Sequence, residues 1–148
     1  MKILAVASIG GHWIQLLRIA KSMFAKEEVV FMSTHEKCAT MIDGRQFHKM
    51  SDFSRWDAYK LIPAFFNAIR VVRKEKPDAV ITTGAAPGLV VLLAAKFCGV
   101  KTIWIDSIAN VNKLSMSGKI ASKFNTRTYT QWEELATDKI YFAGNVLE

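Results

Sequence analysis

The stretch Ser8-Ile9-Gly10-Gly11-His12 lies between a run of strand character (KILAV) and an apolar-periodic segment that starts at Trp13. Two glycines let the backbone come close to a ligand, and the helix start beyond them offers free N–H groups and a positive dipole end. Such a turn suits a phosphate or pyrophosphate. His12 could serve there as a general base toward a hydroxyl, as a cation holding a phosphate, or as a simple cap. The pattern is not the dinucleotide fingerprint GxGxxG, because the first glycine is missing. No acidic residue ends the second strand in the ribose-binding manner either, so no dinucleotide is expected. The plain alternative is a tight turn that holds nothing.

A second small-residue loop, Thr82-Thr83-Gly84-Ala85-Ala86-Pro87-Gly88, also runs from a strand into a helix. Small side chains there leave room for a ligand, or they merely allow close packing. Asp106-Ser107 ends a later strand; the Asp106 carboxylate could orient His12, act as base itself, bind sugar hydroxyls, or cap a turn. Trp132, in Gln131-Trp132-Glu133-Glu134, could stack on a sugar or simply pack. His35, Cys38 and His48 match no standard zinc spacing and lack a fourth ligand, so no metal is expected. No GxSxG elbow follows a strand, which argues against a serine hydrolase.

The elements that must position these residues alternate. Strands are expected at Ile3–Ala7, Glu28–Ser33, Phe47–Met50, Ala79–Thr83, Lys101–Ile105, Thr126–Gln131 and Lys139–Phe142. Helices are expected at Trp13–Phe24 (Ile14, Leu17, Ile19 and Phe24 inward), Trp56–Lys74, Leu89–Phe97 and Leu114–Phe124, with a short helix or loop through Cys38–Ile42. Alternation of this kind predicts an α/β fold: one Rossmann-like domain over residues 1–148, with a mainly parallel sheet and helices on both faces. Ligands of such sheets bind outside the carboxyl ends of the strands. Here those ends are Ser8–His12, Ser33–Glu36, Thr83–Gly88, Asp106–Asn110 and Gln131–Glu133.

The 148 residues are about one domain, and 51% hydrophobic composition supports a real core. Two cysteines with no CxxC spacing fit a reducing compartment. The first strand opens at Lys2, so no signal peptide is expected, and no apolar stretch approaches the roughly 20 residues of a membrane span. A net charge of +7 suits nucleic acid, a phosphorylated substrate or anionic lipid, or serves solubility alone. The segment Arg55–Lys74 is less ordinary. Ala58, Leu61, Ile62, Phe65, Phe66, Ile69 and Val72 supply a core stripe, yet Trp56, Pro63, Ala64 and Val71 widen it. Lys60, Arg70, Arg73 and Lys74 then add almost only positive charge. A basic, aromatic, apolar helix fits the interfacial plane of an anionic membrane, or burial against a partner subunit.

Taken together, the first loop, "KPDAVITTGAAPGLVVLLAAKFCGVKTIWIDS" and "TYTQWEEL…YFAGNVL" resemble the acceptor-side subunit of split GT-B glycosyltransferases. They are also similar to the N-terminal half of the transferase that adds GlcNAc to lipid I. The resemblance spans nearly the whole chain. It implies the N-terminal Rossmann-like half of a GT-B enzyme, working in polysaccharide biosynthesis as a heteromer with a separate donor-binding subunit. The UDP-sugar would be bound mainly by that partner, and the acceptor would be a polyprenyl-diphosphate-linked glycan. Placement would be cytoplasmic, peripheral to the inner face of the plasma membrane; neither a cofactor nor a nucleic-acid partner is implied. Because this chain shows no N-terminal anchor like that of eukaryotic relatives, membrane attachment is expected from Trp56, Lys60, Phe65, Phe66, Arg70, Arg73 and Lys74.

Carried over by position, His12 and Asp106 are the catalytic candidates. Ser8, Gly10, Gly11, Thr83, Gly84, Ala86, Pro87, Gly88, Ser107 and Asn110 are the acceptor- and phosphate-binding candidates. Relatives commonly carry Glu-Ser where this chain has Asp106-Ser107. No metal is needed in such a site, because dipoles and cations can neutralise a pyrophosphate. The competing reading is a non-catalytic membrane scaffold that recruits and orients the catalytic partner.

Overall fold

Seven strands, each parallel to its neighbours, form one sheet in the order β3-β2-β1-β4-β5-β6-β7. A computed structural model describes residues 1–53, 57–145 and 147, and at Ala58 the backbone. The strands are β1 (Lys2–Val6), β2 (Glu28–Ser33), β3 (Phe47–Lys49), β4 (Ala79–Thr82), β5 (Lys101–Ile105), β6 (Arg127–Thr130) and β7 (Ile140–Phe142). The helices are α1 (Gly11–Met23), α2 (Leu61–Glu75), α3 (Ala85–Phe97) and α4 (Met116–Ala121). The chain winds outward from β1 to β3, returns through α2 to β4, and winds outward again. The order therefore reverses between β1 and β4, where Ile3 lies level with both Val29 and Ala79. A crevice opens at such a reversal, on the carboxyl side of the strands.

The two-residue period of β1 shows why the strand serves both faces. Leu4 and Val6 join Val30, Met32, Val80, Trp104 and the inner sides of α2 and α3 in one core. Ala5 and Ala7 join Phe31, Trp13, Leu16 and Cys38 in the other, beneath α1. The two faces are not equally covered. Right-handed crossovers place α1 on one face, because it precedes a step toward β2, and α3 and α4 on the opposite one. Beyond β4 the α1 face is only partly covered. There Ile81, Ile103, Ile105 and Tyr129 line an open groove of ≈ 670 Å³ beside Ile19 and Phe24.

Several elements differ from the sequence reading: α4 is shorter than the expected Leu114–Phe124, and a 3₁₀ turn at Glu36–Met41 takes the place expected for a helix or loop at Cys38–Ile42. The long basic helix begins at Leu61 after a 3₁₀ turn (Ala58–Lys60), with Pro63 tolerated in its first turn, where no intrahelical N–H is needed. Trp56 lies outside the described residues. The buried stripe of α2 is Ala68, Val71 and Val72, rotated from the expected one, so Leu61, Ile62 and Phe66 stand exposed. In α1, Ile14 is exposed, while Trp13 and Gln15 are buried. The helix α3 starts at Ala85 rather than Leu89, so Ala86, Pro87 and Gly88 belong to its first turn.

A buried acid ties α2 to the amino side of the sheet. Glu75 accepts hydrogen bonds from Gln46 Nε2 (2.6 Å) and His48 Nε2 (2.7 Å), and pairs with Lys2 Nζ at 3.4 Å. Burial pushes the Glu75 carboxyl up, but the His48 bond and the Lys2 ammonium outweigh it, and the net displacement is below the usual value. A lowered folded-state pKa adds stability that is complete above the unfolded value and lost as pH falls through the folded one. Glu75→Gln should therefore cost about 1–3 kcal/mol at neutral pH. That deficit should shrink below a pH of about 4. Urea melts of both proteins at pH 7 and pH 3 check this; an undiminished deficit at pH 3 would assign Glu75 to packing alone.

Candidate functional site

At the reversal, the loops after β1 and β4 are tied to each other through His12. Its Nδ1 lies 3.1 Å from the Thr83 carbonyl oxygen, and Thr83 Oγ1 donates back to the His12 carbonyl at 2.6 Å. A carbonyl oxygen can only accept, so Nδ1 donates, and when the ring is neutral the lone pair lies on Nε2. The ring sits against Gly84, whose φ of 141° few side chains adopt. A Cβ there would fall 2.5 Å from His12 Nδ1 and 2.7 Å from Cε1. The next residue, Ala85, holds φ at 72°, an uncommon value for a residue with a side chain and a mark of a tightly determined loop.

Two helix starts meet at this histidine, which is itself the second residue of α1 and packs against the start of α3. Gly10, at φ 108°, precedes α1, and Gly84 precedes α3; neither N-terminus is capped by a side chain. The first-turn N–H groups of α1, and those of Ala85 and Ala86 in α3 (Pro87 has none), are thus left for an anion in the crevice. The first loop is held from the other side by Ile9 N–H donating to Thr34 Oγ1 at 2.9 Å. Within the expected set, Gly10 and Gly11 are exposed, Ala86 is half-buried, and Ser8, Thr83 and Gly84 are buried at the base of the loops. Pro87 and Gly88 are also buried, and a Cβ on Gly88 would collide with Thr82 Oγ1. Their smallness serves the packing of α3 on β4, not ligand contact.

Asp106 stands in a different setting from His12. It is 2% exposed, and its carboxylate accepts four hydrogen bonds from within the chain. Trp104 Nε1 (2.9 Å) and Ser115 Oγ (2.7 Å) donate to Oδ1. Asn110 Nδ2 (3.1 Å) and the Ser115 N–H (3.0 Å) donate to Oδ2. The Ser115 hydroxyl in turn caps α4 through the Gly118 N–H at 2.9 Å. A carboxylate saturated in this way organises the loop between β5 and α4. The geometry does not favour it as a base, and the orienting partner of His12 is the Thr83 carbonyl. Asn110 and Ser107 are likewise drawn inward, Asn110 onto Asp106 and Ser107 onto the Gln15 amide at 3.1 Å.

Gln15 and Gln131 are residues that sequence reasoning missed in this role. Gln15 Oε1 accepts from Gln131 Nε2 (2.6 Å) and from the Ile108 N–H (3.1 Å). Both amides are buried, and they join α1 to the loops after β5 and β6. A glutamine at position 15, inside the apolar face of α1, was the available signal. Trp132 Nε1 donates to the Ile108 carbonyl at 2.8 Å, which fixes the same loop. The residues considered for zinc are engaged elsewhere: His35 caps a 3₁₀ turn, Cys38 is core, and His48 binds Glu75.

This arrangement defines a class: a Rossmann-like domain with the architecture of the N-terminal half of a GT-B glycosyltransferase. The crystal structure of Acinetobacter baumannii MurG superposes with a TM-score of 0.81 at 16% identity, over 97% of this chain and 45% of that one. The UDP-GlcNAc 2-epimerase of Methanocaldococcus jannaschii shares the fold with a TM-score of 0.74 at 14% identity, over 98% and 46%. The chain belongs to the Alg14-like family of oligosaccharide biosynthesis proteins, whose profile matches residues 56–145. It is 34% identical to the UDP-N-acetylglucosamine transferase subunit ALG14 of Yarrowia lipolytica, over 49% of this chain and 37% of that protein. It is 33% identical to a Staphylococcus aureus UDP-N-acetylglucosamine–N-acetylmuramyl-(pentapeptide) pyrophosphoryl-undecaprenol N-acetylglucosamine transferase, over 60% and 25%. The chain thus matches less than half the length of each of these relatives.

Proposed function

We propose that this chain is the acceptor-binding subunit of a polysaccharide-biosynthesis glycosyltransferase, active with a separate donor-binding subunit. The observation that carries the reading is the pair of uncapped helix starts meeting at a histidine whose free nitrogen is Nε2. A polyprenyl-diphosphate-linked glycan would set its diphosphate against Gly10, Gly11 and the first turns of α1 and α3. The acceptor hydroxyl gives its proton to His12 Nε2 as its oxygen attacks the anomeric carbon of a UDP-sugar. The bond from that carbon to the diphosphate breaks, UDP leaves, and the anomeric centre inverts. Oriented N–H groups and cations stabilise charge on the departing diphosphate. Relatives whose names specify UDP-N-acetylglucosamine transferases support the donor class. The partly open face over β5 and β6 supports a partner, since parallel sheets bury both faces. Mixing the chain with a donor-binding subunit, UDP-GlcNAc and a lipid-linked saccharide should release UDP, and neither subunit alone should do so. Release by one subunit unaided would refute the division of labour.

The same reading places the chain on a membrane surface. No helix among the described residues is long and apolar enough to cross one. Ile62, Phe66, Arg70 and Arg73 share one stripe of α2, and Phe66 is 64% exposed. Phe65 packs edge-on against both Phe66 and Phe97, and Phe97 extends the apolar surface onto α3 at 74% exposure. Lys60, Arg70, Arg73 and Lys74 lie on or just before α2, and Lys96 precedes Phe97 on α3, a set suited to anionic headgroups. Vesicles containing anionic lipid should sediment the protein, and a variant with Lys60, Arg70, Arg73 and Lys74 changed to Gln should stay in solution. Equal sedimentation of the two would remove this surface from the account.

A further inference from the structure

A cavity of ≈ 630 Å³ lies beside the first loop, between the carboxyl ends of β2 and β3 and the amino-terminal half of α2. Its polar wall consists of Thr34, Lys49, Ser51, Asp52 and Asn67, over an apolar floor that includes Met50 and Pro63. Thr34 is 7% exposed, and its oxygen accepts from the Ile9 N–H, so its own hydroxyl proton has no acceptor among the described residues. Asn67 Oδ1 accepts from Arg70 Nη2 at 2.7 Å, which leaves the amide N–H groups as donors. Lys49 is turned to Glu36 at 3.1 Å. Ser51 and Asp52 make no side-chain hydrogen bond or ion pair among the described residues.

The open groups therefore alternate: donors at Thr34 and Asn67, an acceptor at Asp52, and both at Ser51. That mixture, with a small apolar floor, matches a neutral polyhydroxyl ring better than an anion, which the Asp52 carboxylate would repel. The Ile9–Thr34 bond makes the first loop and the cavity share a wall. We infer that this cavity binds a sugar ring of the acceptor glycan, next to a diphosphate held at Gly10 and Gly11. Asp52 and Asn67 are then residues that select the glycan. This inference rests on the acceptor-binding reading above.

The binding measurement needs neither partner nor turnover. Amide spectra of the ¹⁵N-labelled full chain are titrated with the methyl glycoside of N-acetylglucosamine and, separately, with inorganic pyrophosphate. The glycoside should move the backbone signals of Thr34, Ser51 and Asp52 and the Asn67 side-chain signal saturably. Pyrophosphate should move those of Gly11, His12 and Trp13 instead. Asp52→Ala and Asn67→Ala, at exposed and half-buried positions, should each weaken glycoside binding about five- to tenfold while the remaining spectrum is unchanged. Glycoside that moves none of these signals, or moves them equally in the doubly substituted chain, overturns the inference. So does pyrophosphate moving them in place of glycoside. Glycoside binding by a chain that forms no active pair with a donor-binding subunit would refute the transferase reading and leave the sugar site standing.

Discussion

Replacing His12 with alanine should lower turnover by the reconstituted pair about 10²- to 10⁴-fold while the KM for acceptor changes little. The expectation follows from the tautomer. The Thr83 carbonyl, 3.1 Å from Nδ1, fixes the proton there, so the lone pair on Nε2 is the one able to accept from a hydroxyl. Removing the ring removes that acceptor and leaves the helix starts that would hold a diphosphate, so kcat should fall and binding persist. Gly84→Ala gives an independent approach. A Cβ 2.5 Å from Nδ1 must push the ring away, and turnover should fall by a comparable factor with the imidazole still present. Thr83→Val, which keeps the carbonyl and loses the 2.6 Å hydroxyl bond to the His12 carbonyl, should cost much less. Turnover within tenfold of the parent in both His12→Ala and Gly84→Ala would sustain the scaffold reading in place of the catalytic one.

The parallel sheet was legible because alternation of short β-branched runs with helical segments leaves few topologies open. The placement of both glycine loops at the carboxyl ends of strands was legible too, whereas the pairing of β1 with β4 that brings them together was not. What periodicity does not encode is which of two apolar stripes a helix turns inward. In α2 both Ala68–Val72 and Ile62–Phe66 were eligible, and contact with α3 settled it for the former. Side-chain roles at strand ends were the least legible part. An aspartate after a buried strand has the same sequence signature whether it faces solvent or accepts from a Trp two residues earlier. The deciding groups, Ser115 and Gly118, lie 9 and 12 positions downstream of it and become its neighbours through the fold of the loop.

Asp106 therefore calls for a stability experiment before a kinetic one. In Asp106→Ala the Trp104 indole N–H, the Ser115 N–H and the Asn110 amide lose their acceptor in a buried site, and each orphan donor costs about 1–3 kcal/mol. A loss of about 3 kcal/mol or more in urea melts is expected, beyond the range of ordinary surface substitutions. Asp106→Asn should recover little of it. One carboxylate oxygen faces the Ser115 N–H and the other the Trp104 Nε1–H, so an NH₂ in either place meets a donor. Asp106→Glu restores the charge but adds a methylene where a Gly118 Cβ would already be 2.7 Å from Oδ1. That overpacking should cost about 1–3 kcal/mol. A glutamate at this position thus needs more room than Gly118 and Ser115 leave. Kinetics then separates the roles. If Asp106 only holds the loop, Asp106→Glu at a temperature where it is folded should retain turnover within about tenfold, whereas a base displaced by a methylene would lose about a hundredfold or more. The second outcome would return Asp106 to the reacting centre.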